Sequence, residues 1–176
     1  ESFDASASLP SGWTTGANAP ADSGSTAWEV GAPSSVGPSA AFSPANCAGT
    51  NIDADYGSGT DIWLRTPPID LAGVTSATLS FKEFKDIEAS GADQDFGTLS
   101  VLSAVDLSVL AVIEAQVEAS GATSWDSYAV TLPEAAYGQE VLIEFRLRTD
   151  ADASAGIFNG GFELPVLSNG IWNTTG

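Results

Sequence analysis

The feature that most constrains this chain is a series of short segments in which apolar and polar residues alternate, with turn residues between the segments. In the clearest of them, residues 141–148, the apolar residues that share one face are Val141, Ile143, Phe145 and Leu147. A period of two is the pattern of a half-buried β-strand, because successive side chains point to opposite faces of a sheet. No long amphipathic helix is indicated. We therefore expect an all-β fold.

Further strands are predicted from Asp61 onward, at Asp61–Arg65, Ala77–Lys85, Gly97–Ala104, Ser108–Val117 and Ser124–Leu132. The segment that starts at Ser108 fits one face of a helix nearly as well as a buried strand, and we interpret it as a strand because β-type segments flank it. The residues from Pro133 to Gly138 predict one helical turn closed by glycine. Short strands at this spacing predict an antiparallel two-sheet β-sandwich of the jelly-roll, concanavalin-like kind.

The first 60 residues are rich in Ser, Ala, Gly and Pro, which predicts long loops packed over a scaffold that is built later in the chain. We assign residues 1–168 to the β-sandwich domain and residues 169–176 to a C-terminal tail or the start of a following module. From about residue 157 the chain can form the last strand of this domain, the first strand of a neighbour, or a segment that pairs with another subunit. The first of these is favoured.

Charge narrows the possible partners. The chain has 23 acidic residues against 5 Lys plus Arg, for a formal net charge of −18. Such a surface repels nucleic acids and anionic membranes, and it suits divalent cations or a salty medium. No apolar run approaches the roughly 20 residues that cross a membrane. We therefore expect no nucleic-acid partner and no membrane insertion, and we interpret the chain as a mature or excised piece of an exported protein.

Enzyme chemistry is disfavoured by the residues that are missing. The chain has no His, which removes the commonest general base and the usual transition-metal ligand. Its single cysteine, Cys47, can form neither an internal disulfide nor a thiolate zinc site, and it is expected to be a small buried residue. Glu83 and Glu144 lie on predicted strands and could face another acid, but no acid/base partner is indicated for them. We expect no catalytic activity.

Several short motifs follow one another along the chain. They are Phe3, Leu9-Pro10-Ser11-Gly12-Trp13-Thr14, Trp28, Gly49-Thr50-Asn51-Ile52, Tyr56, Trp63-Leu64-Arg65-Thr66-Pro67-Pro68-Ile69-Asp70-Leu71, Ala77-Thr78-Leu79-Ser80-Phe81, Trp125, and Tyr137-Gly138-Gln139-Glu140-Val141 leading into Phe145-Arg146. Their order and spacing resemble the MAM-like and cleaved-adhesin-like jelly-roll modules of bacterial secreted proteins. The resemblance runs from residue 1 to about residue 150. It implies two face-to-face sheets, frequent bound Ca²⁺, and adhesion or binding rather than catalysis.

The chain departs from this pattern near its end. The family usually closes with a strand of the form Gly-aromatic-aromatic-Ile-Asp-Asp-Val, whereas the acidic pair falls on Gly160-Gly161 here. The segment from Asn159 to Pro165, with Gly170-Ile171-Trp172 after it, is also similar to the opening of another family of secreted β-sandwich modules.

Two acidic loops are candidates for a structural Ca²⁺ site, because calcium takes hard oxygen ligands from carboxylates and from carbonyls that glycine lets turn inward. The candidate ligands are Asp53, Asp55 and Asp61 in one loop and Asp86, Glu88, Asp93 and Asp95 in the other. Neither loop has the EF-hand pattern. The alternative interpretation is that these are turn residues whose side chains cap their own backbone.

Aromatic residues are the candidates for ligand contact, since sugar-binding modules use exposed rings as flat apolar platforms. Trp13, Trp28, Trp63 and Trp125 stand at landmark positions, so burial in the scaffold is the preferred interpretation for them. Tyr56 and Trp172 remain as predicted ligand-binding residues.

Together these features predict a non-catalytic adhesion or binding module, secreted or displayed on the cell surface. It would bind a glycan or a protein surface and act as an accessory domain of a larger exported protein, with Ca²⁺ as a structural ion. The alternative is a structural subunit of an extracellular filament or surface layer. Copies of the chain would then assemble by strand exchange, because an unpaired sheet edge is a template for another strand.

Overall fold

A computed structural model describes residues 3–18, 26–43, 45–87, 95–117 and 121–151, and the backbone of 157–159. The strands are β1 (Thr14–Ala17), β2 (Trp28–Gly31), β3 (Cys47–Thr50), β4 (Asp61–Arg65), β5 (Ile69–Asp70), β6 (Thr78–Asp86), β7 (Phe96–Ser103), β8 (Val109–Val117), β9 (Asp126–Thr131), β10 (Glu140–Arg148) and β11 (Ile157–Asn159). One 3₁₀ turn, Glu134–Ala136, precedes β10.

The strands form antiparallel sheets. A six-stranded sheet has the order β1-β4-β10-β7-β8, with β5 also paired to β10. A three-stranded sheet has the order β11-β6-β9, and β2 and β3 form a separate pair. Pro67 and Pro68 separate β4 from β5, because proline cannot donate to a sheet ladder. The predicted all-β, antiparallel fold class is confirmed.

The core lies between the large sheet and the sheet that contains β6. Alternation along β10 buries Val141, Ile143, Phe145 and Leu147, which are at most 2% exposed. Phe81 of β6 meets Phe145 edge to face, with ring centroids 5.5 Å apart. Burial of an aliphatic or aromatic side chain contributes about 1.5–3 kcal/mol, so this row is a main source of the stability of the sandwich.

A second contact joins the two sheets near the β8 edge. The hydroxyl of Tyr128 on β9 donates a hydrogen bond to Glu114 Oε1 on β8, at 2.8 Å. Burial, together with the hydrogen bond and the charge of Glu114, raises the pKa of Tyr128. The phenol therefore keeps its proton and remains the donor.

Most predicted segments are strands, and the N-terminal region is the exception. The segment at Ser108–Val117 is the strand β8, and the predicted turn is the 3₁₀ turn, followed by Gly138 with a φ of +78°. The first 60 residues contain three four-residue strands, β1, β2 and β3, among the predicted long loops. A search for period-two alternation misses β1 and β3 because their residues are small and hardly alternate.

The C-terminal residues are only partly described. β11 pairs with Phe84–Asp86 of β6, as a closing strand of this domain does. The proposed boundary between 168 and 169 lies outside the described residues. Among the described residues, no helix has the length and hydrophobicity that a membrane crossing requires.

A buried threonine continues the ladder between β10 and β4 beyond the last residue of β4. The Ile143 N–H donates to Thr66 Oγ1 at 3.0 Å, and the Thr66 N–H donates to the Ile143 carbonyl at 3.1 Å. Thr66 is 1% exposed, so water cannot replace its hydroxyl.

We predict that Thr66→Val lowers the free energy of unfolding by about 1–3 kcal/mol, because a buried N–H loses its acceptor without a change in side-chain shape. Thr66→Ser keeps the hydroxyl and is the matched control. Urea denaturation of the three proteins measures the difference. Equal losses in the two variants would show that packing of the methyl group, rather than the hydrogen bond, is what matters.

Candidate functional site

One face of the large sheet carries an unusual set of side chains. Because side chains alternate, the residues that point away from the core in β4 and in the second half of β10, residues 144–148, are charged or aromatic. We define the charged sheet face as Asp61, Trp63 and Arg65 of β4, Phe96 of β7, and Glu144, Arg146 and Arg148 of β10. All three arginines of a chain with only 5 basic residues therefore lie on one face.

Two ion pairs connect β4 and β10 on this face. Arg65 lies directly opposite Glu144, and its Nε and Nη2 reach Glu144 Oε2 at 2.7 and 2.6 Å. Arg146 binds Asp61 through two contacts, Nε to Oδ1 and Nη2 to Oδ2, both at 2.5 Å. The Glu144 side chain is 9% exposed and the Asp61 side chain 21% exposed, so both carboxylates are held in place.

Trp63 lies between the two ion pairs. The guanidinium of Arg65 stands 3.8 Å from the centre of a Trp63 ring. Gly16 of β1 is opposite Trp63, and a Cβ added to it would lie 2.5 Å from Trp63 Cζ2. The small residue at position 16 thus makes room for the indole. The ring is half-buried, which leaves part of it open to a ligand.

The ion pair with Arg146 favours the ionised form of Asp61. Burial raises the pKa of Asp61, but the hydrogen bonds and charge of Arg146, together with Asn18 and Arg148, outweigh it and lower the pKa below its usual value. The hydrogen bond from Arg146 correspondingly raises the pKa of that guanidinium.

Arg148 differs from the other two arginines. Its guanidinium lies 5.6 Å from the centre of the Phe96 ring. Its Nε is buried and has no hydrogen-bond partner in the described part of the chain. No ion pair joins it to a described carboxylate, although its charge acts on Asp61. Within the described ranges, the Nε–H of Arg148 is therefore an unsatisfied donor.

The described ends of the two acidic loops at Thr60 and Asp95 lie at one end of the sandwich, where β4 and β7 begin and β10 ends. Thr149 and Asp150 lie between the loops. Thr149 Oγ1 accepts from the Thr60 N–H and donates to the Gly57 carbonyl, each at 2.8 Å. On the other side, the Asp150 N–H donates to Asp95 Oδ1 at 2.9 Å. The loops considered separately in the sequence are therefore parts of one region.

The predicted metal ligands occupy different environments there. Asp53 and Asp55 are exposed, Asp61 is held by Arg146, and Asp86 Oδ1 accepts the Gly121 N–H at 2.7 Å. Asp95 is fully buried. No three acidic or cysteine side chains form a metal-binding group in the described ranges. Glu88 and Asp93 lie outside the described residues.

The predicted ligand-binding aromatics are not open platforms where the structure describes them. Tyr56 is 1% exposed, so its ring is part of the core and cannot present a face to a ligand in this conformation. Asn51, in the same loop, is 8% exposed, and its side chain donates to the Asp55 carbonyl at 3.0 Å. Tyr56 and Asn51 therefore contribute to packing and hydrogen bonding within the fold. Trp172 lies outside the described residues.

The tryptophans at landmark positions divide into two groups. Trp13 and Trp28 are buried in the core, as expected. Trp125 is half-buried against Phe84, with centroids 5.9 Å apart, and donates from Nε1 to the Ala40 carbonyl at 3.0 Å. Trp63 is half-buried too, and it belongs to the charged sheet face.

The residues considered for catalysis are committed to other contacts. Glu83 is paired with Lys85 at 2.6 Å, and Glu144 is paired with Arg65. Cys47 is 3% exposed, and burial raises the pKa of its thiol to about 12, which keeps it protonated. The described chain therefore offers no positioned nucleophile at these residues.

The charged sheet face is the site that sequence reasoning missed. Three of the five basic residues, Arg65, Arg146 and Lys85, form ion pairs with carboxylates in the structure. The sequence does contain a pattern that indicates this face, since charged and aromatic residues recur at every second position in both Asp61–Arg65 and Glu144–Arg148. The register between those strands was not available from the sequence.

Comparison with known proteins supports the fold. No family profile and no curated protein matches the sequence. The K2 cleaved adhesin domain of Lys-gingipain is 15% identical with a TM-score of 0.56, over 94% of this chain and 98% of that one. The K1 cleaved adhesin domain of Lys-gingipain from Porphyromonas gingivalis W83 is 20% identical with a TM-score of 0.53, over 90% and 93%.

Two other similar structures come from different kinds of protein. One represents carbohydrate-binding modules of the β-sandwich superfamily, at 12% identity and a TM-score of 0.51, over 90% of this chain and 58% of that one. The other is the enzymatically active domain of tailspike protein 4 of bacteriophage CBA120, at 14% identity and 0.53, over 88% and 20%. At these identities a shared fold is established. The predicted cleaved-adhesin-like resemblance is confirmed as a likeness of fold.

We predict that the Asp61–Arg146 pair stabilises the protein in a pH-dependent way. The folded pKa of Asp61 is lowered, so the stabilisation is present above the unfolded carboxyl value of about 3.9 and is lost as the pH falls through the folded value. Arg146→Gln should lower the free energy of unfolding by about 1 kcal/mol at pH 7 and by less at low pH.

Urea denaturation at several pH values, with an NMR titration of the Asp61 carboxyl, measures both effects. Lys82→Gln is the control, because the Lys82 amine bonds Ser127 and not Asp61. A stability difference between wild type and Arg146→Gln that stays constant down to pH 2 would contradict this prediction.

Proposed function

We propose that this chain is a non-catalytic binding module of a larger exported protein, and that its charged sheet face binds a glycan. The observation that carries the proposal is the set of two ion pairs around the half-buried Trp63, next to Arg148, which forms no ion pair with a described carboxylate. The similar structures include cleaved adhesin domains and carbohydrate-binding modules, which supports a binding role.

The chemistry of the face suits hydroxyl-rich ligands. A carboxylate next to a guanidinium places acceptors beside donors, and a sugar hydroxyl can both donate and accept. A flat indole complements the apolar side of a sugar ring, while a few fixed polar groups set its orientation. Because the ion pairs hold their side chains in place, binding costs little additional conformational entropy.

The proposed setting is extracellular, either secreted or at a cell surface. The excess of acidic residues gives a soluble surface in a salty medium and disfavours polyanionic partners such as nucleic acids. A glycan or glycosylated protein surface is the partner that fits both the charge and the face.

A glycan array followed by calorimetry tests the proposal. We predict that Trp63→Ala and Arg148→Gln each weaken binding about tenfold or more, which corresponds to about 1.4 kcal/mol. Trp63→Phe keeps an aromatic ring and should weaken binding less than Trp63→Ala does. Gly16→Ala should also weaken binding, because its methyl group would displace the Trp63 ring.

The controls are Trp125→Ala and Lys82→Gln, which remove a tryptophan and a basic side chain at positions outside the charged sheet face. Circular dichroism confirms that each variant is folded. Binding to no glycan would exclude the carbohydrate proposal, and loss of binding only in the control variants would place the ligand elsewhere on the protein.

The alternative function, a self-assembling structural subunit, is favoured by one observation. The β7–β8 hairpin and β8 carry exposed apolar side chains: Val105 at 91%, Leu107 at 47%, Val109 at 58% and Val112 at 53% exposed. Among the described strands, β8 lies at the edge of the large sheet, where a strand from a second copy can pair. Residues 105–117 contain only two charged residues, Asp106 and Glu114, so two copies would meet here with little repulsion.

If this edge joins copies, we predict a concentration-dependent increase in mass by sedimentation, abolished by Val112→Lys. Ala115→Lys is the control, because it adds the same charge at another exposed position of β8. It tests whether added charge alone abolishes the increase in mass. A wild-type protein that stays monomeric at millimolar concentration would exclude assembly through β8.

A further inference from the structure

The charged sheet face has three guanidinium groups and two carboxylates. Asp61 is bound by Arg146. Glu144 is bound by Arg65. The third guanidinium, that of Arg148, forms no ion pair with a described carboxylate. Within the described residues, the face therefore carries one positive charge that is not paired with a negative one, on a chain whose formal net charge is −18.

The position of Arg148 explains why the face leaves it without a carboxylate. Arg148 stands directly opposite Asp61 in the pairing of β10 with β4, and directly opposite Phe96 in the pairing with β7. Both oxygens of Asp61 are bound by Arg146, two residues earlier on the same strand. The Phe96 ring lies 5.6 Å from the Arg148 guanidinium, a cation–π contact that holds the group in position without neutralising its charge.

The donors of Arg148 fit a carboxylate. The side chain is half-buried, so part of it remains accessible, whereas its Nε is buried. This leaves the two terminal Nη groups as donors for a ligand. A guanidinium is planar and permanently charged, and two of its nitrogens can bind the two oxygens of one carboxylate in parallel. The binding of Asp61 by Arg146 shows this geometry on the same face.

The negative charge of the whole chain limits which anions can bind here. Charges are screened over about 8 Å at physiological ionic strength, so a small ligand at Arg148 responds mainly to the nearest groups. A long polyanion extends beyond that distance and meets the acidic remainder of the surface, which repels it. A sugar chain with a single acidic residue satisfies both conditions.

We infer that the glycan bound by the charged sheet face carries a carboxylate, as uronic and sialic acids do, and that Arg148 binds this carboxylate. The inference rests on the proposed function and names the class of glycan. Arg146 lies opposite Trp63, so Arg148 is the diagonal neighbour of Trp63, at about 7–8 Å along the backbone pairing. One short oligosaccharide can therefore place a sugar ring on Trp63 and its acidic group on Arg148. Arg148 is the residue that determines specificity for acidic over neutral sugars.

Calorimetry with pairs of glycans tests the inference. Each pair is a glycan that ends in one uronic or sialic acid and its methyl ester, which keeps the shape and lacks the charge. The wild type should bind the acid at least about tenfold more tightly than the ester, because a hydrogen bond to a charged group is stronger than one between neutral groups.

Variants of Arg148 assign the preference to this residue. Arg148→Gln should bind the acid and the ester with equal affinity. Arg148→Lys keeps the charge but loses the planar pair of donors, so it should retain only part of the preference. Lys82→Gln is the control, since it removes one positive charge outside the charged sheet face and should keep the full preference. Circular dichroism checks that each variant is folded.

The outcomes separate this inference from the proposed function. Equal affinity of the wild type for acid and ester would overturn the inference and leave glycan binding in place. A preference for the acid that survives in a folded Arg148→Gln would overturn the assignment to Arg148. Tighter binding of a sulfated glycan than of its carboxylated counterpart would overturn the carboxylate as the recognised group. Binding to neither member of any pair, and to no neutral glycan, would overturn both proposals.

Discussion

The period-two alternation of β10 is the constraint on which the rest of the structure depends. β10 pairs with β4 and β5 on one side and with β7 on the other, so it lies inside the large sheet. One set of its side chains builds the core, and the other set supplies Glu144, Arg146 and Arg148. A shift of one residue in its register would exchange the two sets and bury three charges in the core. Core and charged face are therefore specified together.

The charged face is also part of the structural framework. Glu144 is 7% exposed as a whole residue, a degree of burial that a carboxylate tolerates only with a firm partner such as Arg65. Removing one member of such a pair leaves the other desolvated and unpaired. The same arrangement that makes these side chains suitable for recognition makes the face sensitive to substitution, so binding studies on it need a measurement of folding alongside.

Sequence reasoning succeeded where the physics is local. Alternation identified β10 and its core residues, and flanking segments identified β8 correctly. It failed for β1 and β3, whose sequences Thr14-Thr15-Gly16-Ala17 and Cys47-Ala48-Gly49-Thr50 carry no clear period. Gly16 lies where it does because Trp63 occupies the adjacent space, a reason visible only in three dimensions. Likewise, Asp61 looked like a metal ligand until the fold brought Arg146, 85 residues away, against it.

The hydrogen bond between Tyr128 and Glu114 has a consequence for alkaline conditions. Above pH about 10, tyrosines of the unfolded chain release their protons, whereas the raised pKa of Tyr128 delays this step in the folded protein. The contribution of the Tyr128 hydrogen bond to stability is therefore complete below a pH of about 10. It declines above this pH, while the contact between the sheets persists. Alkali would weaken this edge first by making the unfolded chain more favourable, and only at still higher pH by breaking the bond itself.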